Sequence, residues 1–222
     1  MEAIRVDRES VSGDRVYGVV DAATGRPAAP DADCRWHALP GVKARLDAVG
    51  QVHVALPGGG WMEPGAQCDA ALSAFLGFQA SLRPFAGTAT QTRSNDTAQP
   101  RYVSAPVHLV TSASLARLKA LHPSGNPDPR RFRPNILVDM PEVEGAFPET
   151  AWIGRRIAIG EVEMTISEPC RRCGFTIIAQ DELEDDPGIL RTLVRHNAHN
   201  IGVYCTVDRP GRIARGDEAR LL

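Results

Sequence analysis

Residues 156–174, RIAIGEVEMTISEPCRRCG, decide how the chain is read. Arg156 to Ile159 and Val162 to Ile166 form a β-hairpin pattern turning near Gly160-Glu161, and the second run leads straight into a cysteine-rich motif. Outward from this hairpin the signals stay mostly β. Val16 to Asp21 (VYGVVD) is one strand, and Val42 to Asp47 with Val52 to Leu56 is a second hairpin around Ala48-Val49-Gly50. Ile136 to Val138, Phe175 to Ile178, Ile201 to Val207 and Asp217 to Leu222 read as further strands. Helical spacing predicts Cys68 to Phe78, with Leu72, Phe75 and Leu76 inward, and Ser112 to Leu121, with Leu115, Leu118 and Leu121 inward. A third helix starts at Asp185-Asp186-Pro187, where acids meet the positive helix end and proline suits the first turn; Leu190, Leu193 and Val194 are its expected buried stripe. Many short strands with few helices predict a mainly β, barrel-like fold with peripheral helices. Residues 87–101 are polar, rich in Thr, Gln and Ser, and read as a linker; the expected division is a smaller β module at 1–86 and a second domain at 87–222.

Composition narrows the function classes. The 222 residues carry 25 Lys+Arg against 27 Asp+Glu, a net charge of −2, which argues against nucleic-acid binding because phosphate neutralisation needs a basic excess. No apolar run reaches the roughly 18–20 residues of a membrane span, and MEAIRVDRES lacks the apolar core of a signal peptide, so a cytoplasmic protein is expected. Lys43 and Lys119 are the only lysines, leaving arginine as 23 of the 25 cations. A GC-rich genome explains that bias, and guanidiniums forked onto an anionic ligand are a compatible second cause. Five cysteines, one close pair among them, do not form a secreted disulfide framework.

The close pair lies in Glu168-Pro169-Cys170-Arg171-Arg172-Cys173-Gly174. Two cysteines separated by two residues can share a metal, form a redox disulfide or present one activated thiolate. A zinc site usually needs four ligands, yet Cys34, Cys68 and Cys205 are solitary. His196 follows Cys173 after 22 residues, beyond the finger spacing of about 12–15, and both His196 and His199 sit at the polar end of the third helix. No βαβ pattern of the thioredoxin kind surrounds the pair. Arg171 and Arg172 favour the activated thiolate, because adjacent guanidiniums stabilise the ionised sulfur and attract an anion. Taken alone, Arg15, Arg133 and Arg172 read as surface ion pairs, Asn135 as a turn residue, and Cys170 and Cys205 as packing residues.

PCRRC, followed by Leu190-Arg191-Thr192-Leu193, Gly202-Val203-Tyr204 and Pro210-Gly211-Arg212-Ile213 leading to Gly216-Asp217, resembles the MOSC domain. That family is named after the C-terminus of molybdenum cofactor sulfurases and includes amidoxime-reducing components. Arg131-Phe132-Arg133-Pro134-Asn135-Ile136 is similar to its RFRPN segment, and Leu109 to Leu115 (LVTSASL) to the stretch before it. Gly13-Asp14-Arg15-Val16-Tyr17 with Val20-Asp21 resembles the β-barrel-like module that precedes the domain in this family.

The resemblance implies binding of the molybdenum cofactor, with Cys173 as both the catalytic cysteine and the protein ligand to the metal. It further implies that Arg15, Arg133, Asn135 and Arg172 contact the pterin, its phosphate or oxo groups, and that Thr111 or Ser112 adds a hydroxyl. The activity implied is reduction of N-hydroxylated or N-oxidised small molecules with electrons from a separate flavin or iron–sulfur protein. The alternative is a sulfur or cofactor carrier working through a Cys173 persulfide. Relatives of this type have a strand bearing Lys and Ser before GDR, whereas Met1 to Val11 contains no lysine. The expectation is either a cofactor pocket lacking one cation and one hydroxyl or a native start further upstream. The ferredoxin domain of some bacterial relatives is likewise not expected here.

Overall fold

The structure, a computed structural model, describes residues 2–47, 49–85 and 107–222. Among them the chain runs β1 (Ala3–Val6), β2 (Tyr17–Asp21), β3 (Lys43–Leu46), β4 (Val52–Ala55), α1 (Ala66–Leu76), β5 (Ala80–Pro84), β6 (Val107–Thr111), α2 (Ser112–Leu121), β7 (Ile136–Val138), β8 (Arg156–Ile159), β9 (Val162–Arg171), α3 (Pro187–Asn197), β10 (Asn200–Arg209), β11 (Gly211–Ala214) and β12 (Ala219–Leu221), with short 3-10 turns between. It is mainly β. The linker expected at 87–101 lies outside the described residues. No helix among the described residues is long and apolar enough to cross a membrane.

Two compact units divide the chain. One comprises Met1–Ser12, Ser104–Ile177 and Asp185–Leu222, the other Gly13–Val103 and Ile178–Glu184. The first twelve residues, counted with the N-terminal module in the sequence reading, cluster with the larger unit because β1 pairs antiparallel with β11, Ala3 opposite Ala214.

The larger unit is built on a six-stranded sheet ordered β12-β8-β9-β10-β6-β7. All pairs are antiparallel except β6 with β7. The β9–β10 ladder shifts register at three points, and such bulges bend strands and curl the sheet. One face packs Leu109, Ile157, Met164, Ile166, Val203 and Cys205 against Val6, Val11 and Ile213 of the β1–β11 ribbon and its flank. The other packs Val110 and Ile201 against Leu118 of α2, Ile189 and Leu193 of α3, and Phe132. The helices are therefore peripheral to the sheet.

Local chemistry explains the helix limits. Thr111 caps α2 by accepting from Ser114 N, and Asp186 caps α3 by accepting from Gly188 N. The α3 stripe runs through Ile189 and Leu193 with Leu190 at its edge, while Val194 is 44% exposed. The expected stripe was thus rotated by about one residue. A second expectation also changes: Phe175 to Ile178 is not a strand, since Gly174–Ile177 forms a 3-10 turn. The cause is local, for Thr176 turns back and donates both its N–H (3.3 Å) and its hydroxyl (3.0 Å) to the carbonyl of Cys173.

His122 and Asp186 join the end of α2 to the start of α3, with His122 Nε2 3.0 Å from both carboxylate oxygens. Partial burial opposes ionisation of Asp186, but the bonds from His122 and Gly188 N, with the charges of His122 and Arg131, outweigh it and hold the carboxyl below its usual value. A group with a lowered folded value contributes stability above about pH 4 that is lost as pH falls through the folded value. Asp186→Asn is accordingly expected to be less stable than the parent by about 1 kcal/mol at pH 6, with the gap narrowing as pH falls below about 4, as read from melting curves across that range.

The smaller unit holds two antiparallel pairs, β2–β5 and the β3–β4 hairpin. Trp36, Val54, Cys68, Leu72 and Leu82 form its core, with Trp36 edge-on to Phe78 at 4.7 Å.

Candidate functional site

The strand β9 carries the cysteine motif from the sheet core to its rim. Pro169 pairs with Val203 and Arg171 with Asn200, so Cys170 ends up buried while Cys173, just past the strand end, is exposed. The buried Cys68 and Cys205 differ in chemistry. Burial pushes the Cys205 thiol up to about 12, and burial with the neighbouring Asp69 charge raises that of Cys68. Such thiols stay protonated and inert.

The RFRPN segment lies against this rim through arginine contacts. A 3-10 turn over Pro129–Arg131, capped by Asp128, turns Arg131 inward to 1% exposure. Arg131 donates from Nε to Asn126 O (2.9 Å) and reaches Thr176 O, three residues beyond Cys173, at 3.4 Å. Arg172 donates from Nη2 to Phe132 O (2.9 Å) and from Nη1 to Cys170 Sγ (2.8 Å). Arg133 takes a left-handed backbone, φ 51°, and its exposed guanidinium stands 5.5 Å from the centre of the Phe175 ring. Two motifs about 40 residues apart in sequence thus meet through Arg172, Phe175 and Thr176, the residues that flank Cys173.

The remaining candidates hold neighbouring backbone. Asn135 brackets His108, donating from its amide to His108 O (2.8 Å) and accepting at Oδ1 from His108 N (2.9 Å). Thr111 donates to the buried Glu149 at 2.8 Å while capping α2. Ser112 Oγ accepts from Met140 N and approaches Asp139 Oδ1, each at 2.9 Å, which ties down the loop after β7. Arg15 belongs to the smaller unit, where it has φ 54° and lies 3.4 Å from Asp14. The sequence reading assigned no role to Arg131, Glu149 or His199. Arg131 had a signal, since it opens RFRPN; Glu149, a lone acid in a Pro-Glu-Thr stretch, had none.

What the rim can hold follows from its donors. Among the described residues, no three His, Cys, Asp or Glu side chains converge as a metal site. A metal taken by Cys173 must therefore bring most of its own ligands, as a dithiolene-chelated metal does. Arg172 Nε is buried without a hydrogen-bond partner, an unused guanidinium donor on the residue that precedes the exposed thiol. The donor set fits an anionic, soft-metal group.

The chain belongs to the MOSC domain family, whose model matches residues 87–220. Over 138 residues, 60% of this chain, it is 29% identical to a molybdenum cofactor sulfurase of Drosophila pseudoobscura pseudoobscura, and the match spans 17% of that protein's length. Among solved structures it is similar to YiiM from Geobacillus stearothermophilus, with TM-score 0.40 and 15% identity, covering 52% of this chain and 53% of that one. It is also similar to the YuaD protein of Bacillus subtilis, with TM-score 0.40 and 17% identity, covering 100% and 96%.

Proposed function

We propose that the chain binds the molybdenum cofactor through Cys173 and acts as an oxidoreductase on N-hydroxylated or N-oxidised small molecules, with a separate flavin or iron–sulfur protein as electron donor. The observation that carries this reading is an exposed cysteine thiol next to a guanidinium whose buried Nε–H has no partner, within a chain of the MOSC family. When bound, the cofactor would supply a two-electron redox centre that takes up or releases an oxygen atom. In this reading Cys173 provides the soft ligand, while Arg172 and Arg133 neutralise phosphate or oxo groups. Asn135, Thr111 and Ser112 enter through the backbone they hold in place. Molybdenum and pterin analysis of the purified protein tests it: one of each per chain is the expected result, and protein that takes up neither when supplied with cofactor overturns it.

A second reading, sulfur or cofactor transfer through a Cys173 persulfide, is favoured by the likeness to a molybdenum cofactor sulfurase. Cyanide-labile sulfur without metal distinguishes it. Arginine substitutions separate site from surface. Arg133→Ala is expected to lower molybdenum content markedly, since a charge-assisted bond to a desolvated anion contributes about 1.5–3 kcal/mol. Arg209→Ala is expected to leave it unchanged, because Arg209 pairs with Glu163 at the surface, where such pairs are worth roughly 0–1 kcal/mol. Equal molybdenum content in the two variants removes Arg133 from the site.

A further inference from the structure

We infer that Arg172 is a positioning residue: through a guanidinium clamp on Cys170 Sγ and Phe132 O, it fixes the Cys173 thiol and the Arg133 side chain relative to one another. The side chain doubles back from the strand end and is held at several points. Its amide donates to His199 O (2.9 Å), Nη1 to Cys170 Sγ (2.8 Å) and Nη2 to Phe132 O (2.9 Å), and its guanidinium carbon lies 5.8 Å from the Phe132 ring centre. These partners come from β9, the RFRPN turn and the α3–β10 junction. Cys173 is the next residue, and its carbonyl is held from the other side by Thr176. The exposed thiol therefore hangs from backbone fixed on both flanks, the arrangement that presents a ligand or nucleophile without reorganisation.

Backbone strain gives an independent indication. His199, whose carbonyl receives the Arg172 amide, has φ 71°, and Arg133, directly after the Phe132 carbonyl, has φ 51°. Non-glycine residues keep left-handed backbone only where their surroundings over-determine it. Arg172 bonds next to both. Its hold on Phe132 O fixes the residue preceding Arg133, and the left-handed turn at Arg133 carries that guanidinium over Phe175. Only a planar, multi-donor side chain meets a sulfur and a carbonyl while lying beside a ring; an ammonium is a single point.

The clamp rests on the proposed function only for its purpose, so its test uses cofactor-free protein. Hydrogen exchange at residues 132–135 and 173–176, and the iodoacetamide alkylation rate of Cys173, are compared in Arg172→Lys, Arg172→Met, Cys170→Ser and Cys170→Val. Exchange of the β9 core amides 162–166 reports whether the fold is intact. Exchange in both segments should rise about tenfold or more in Arg172→Met and Arg172→Lys, and the alkylation rate should change with it. Cys170→Ser keeps an acceptor and should stay near the parent, whereas Cys170→Val keeps the volume but not the acceptor and should follow Arg172→Met. Parent-like exchange in Arg172→Met, or identical behaviour of Cys170→Ser and Cys170→Val, overturns the clamp. If the arginine variants fail to fold, the two Cys170 variants still decide. Parent-like exchange in Arg172→Met, with molybdenum bound by the parent protein, refutes the positioning role alone; raised exchange in Arg172→Met, with no molybdenum taken up by the parent protein, refutes the cofactor reading alone.

Discussion

Cys173→Ser is expected to purify with less than about a tenth of the parent's molybdenum, and Cys170→Ser with most of it, a difference of at least 1.4 kcal/mol in retention. The two sulfurs of one motif differ in environment. Cys173 is exposed at the strand end, whereas Cys170 is buried and accepts a hydrogen bond from Arg172. A serine hydroxyl is a hard donor that stays protonated at neutral pH, so it replaces the Cys173 thiolate poorly as a ligand to a soft metal. At Cys170 the same hydroxyl is smaller but still accepts from the guanidinium. Elemental analysis of the three proteins, prepared in parallel, reads the result. Equal loss in both variants would point to a metal shared between the cysteines or to a disulfide.

The largest effect on stability is expected at Glu149. Its side chain has no exposed surface, yet its carboxylate receives the hydroxyls of Thr111 and Ser114 at Oε2 and the amide of Gly202 at Oε1, 3.0 Å away. This one group ties the β6–α2 junction to the start of β10. Glu149→Leu fills much of the same volume but leaves three buried donors without an acceptor, each costing about 1–3 kcal/mol unless it finds another. The hydroxyls can turn elsewhere and the Gly202 amide cannot, so the net loss should be about 3–5 kcal/mol, a large part of a typical domain stability. Glu149→Gln keeps one acceptor oxygen and should lose roughly half as much. Urea titrations give the answer through the midpoint at constant slope. A loss under about 1 kcal/mol in Glu149→Leu would mean that the three donors are satisfied without the carboxylate.

Local elements were readable where local chemistry decides them. The helix expected at Ser112 to Leu121 has those limits, because the apolar spacing and the Thr111 cap coincide there. The hairpin of Arg156 to Ile159 with Val162 to Ile166 was equally plain, since its two strands are neighbours in sequence, although the second strand runs on to Arg171. β1 and β11 were missed: four residues among charges and four after a turn make strands only by pairing across some 200 residues. The Phe175 to Ile178 run has strand composition, but the Thr176 side chain competes for the backbone and wins.

By itself, then, the sequence determined the family, the mainly β class and the two motifs of the candidate site, because residue type and short-range spacing suffice for each. Tertiary structure alone decided the surroundings of each motif residue. Arg133 is turned outward over Phe175, whereas Arg131 and Arg172 are turned inward onto carbonyls and a sulfur. Three arginines and two cysteines look alike on the page. They part company because a buried guanidinium or thiol must find partners nearby, and those partners come from strands and turns far away in the chain.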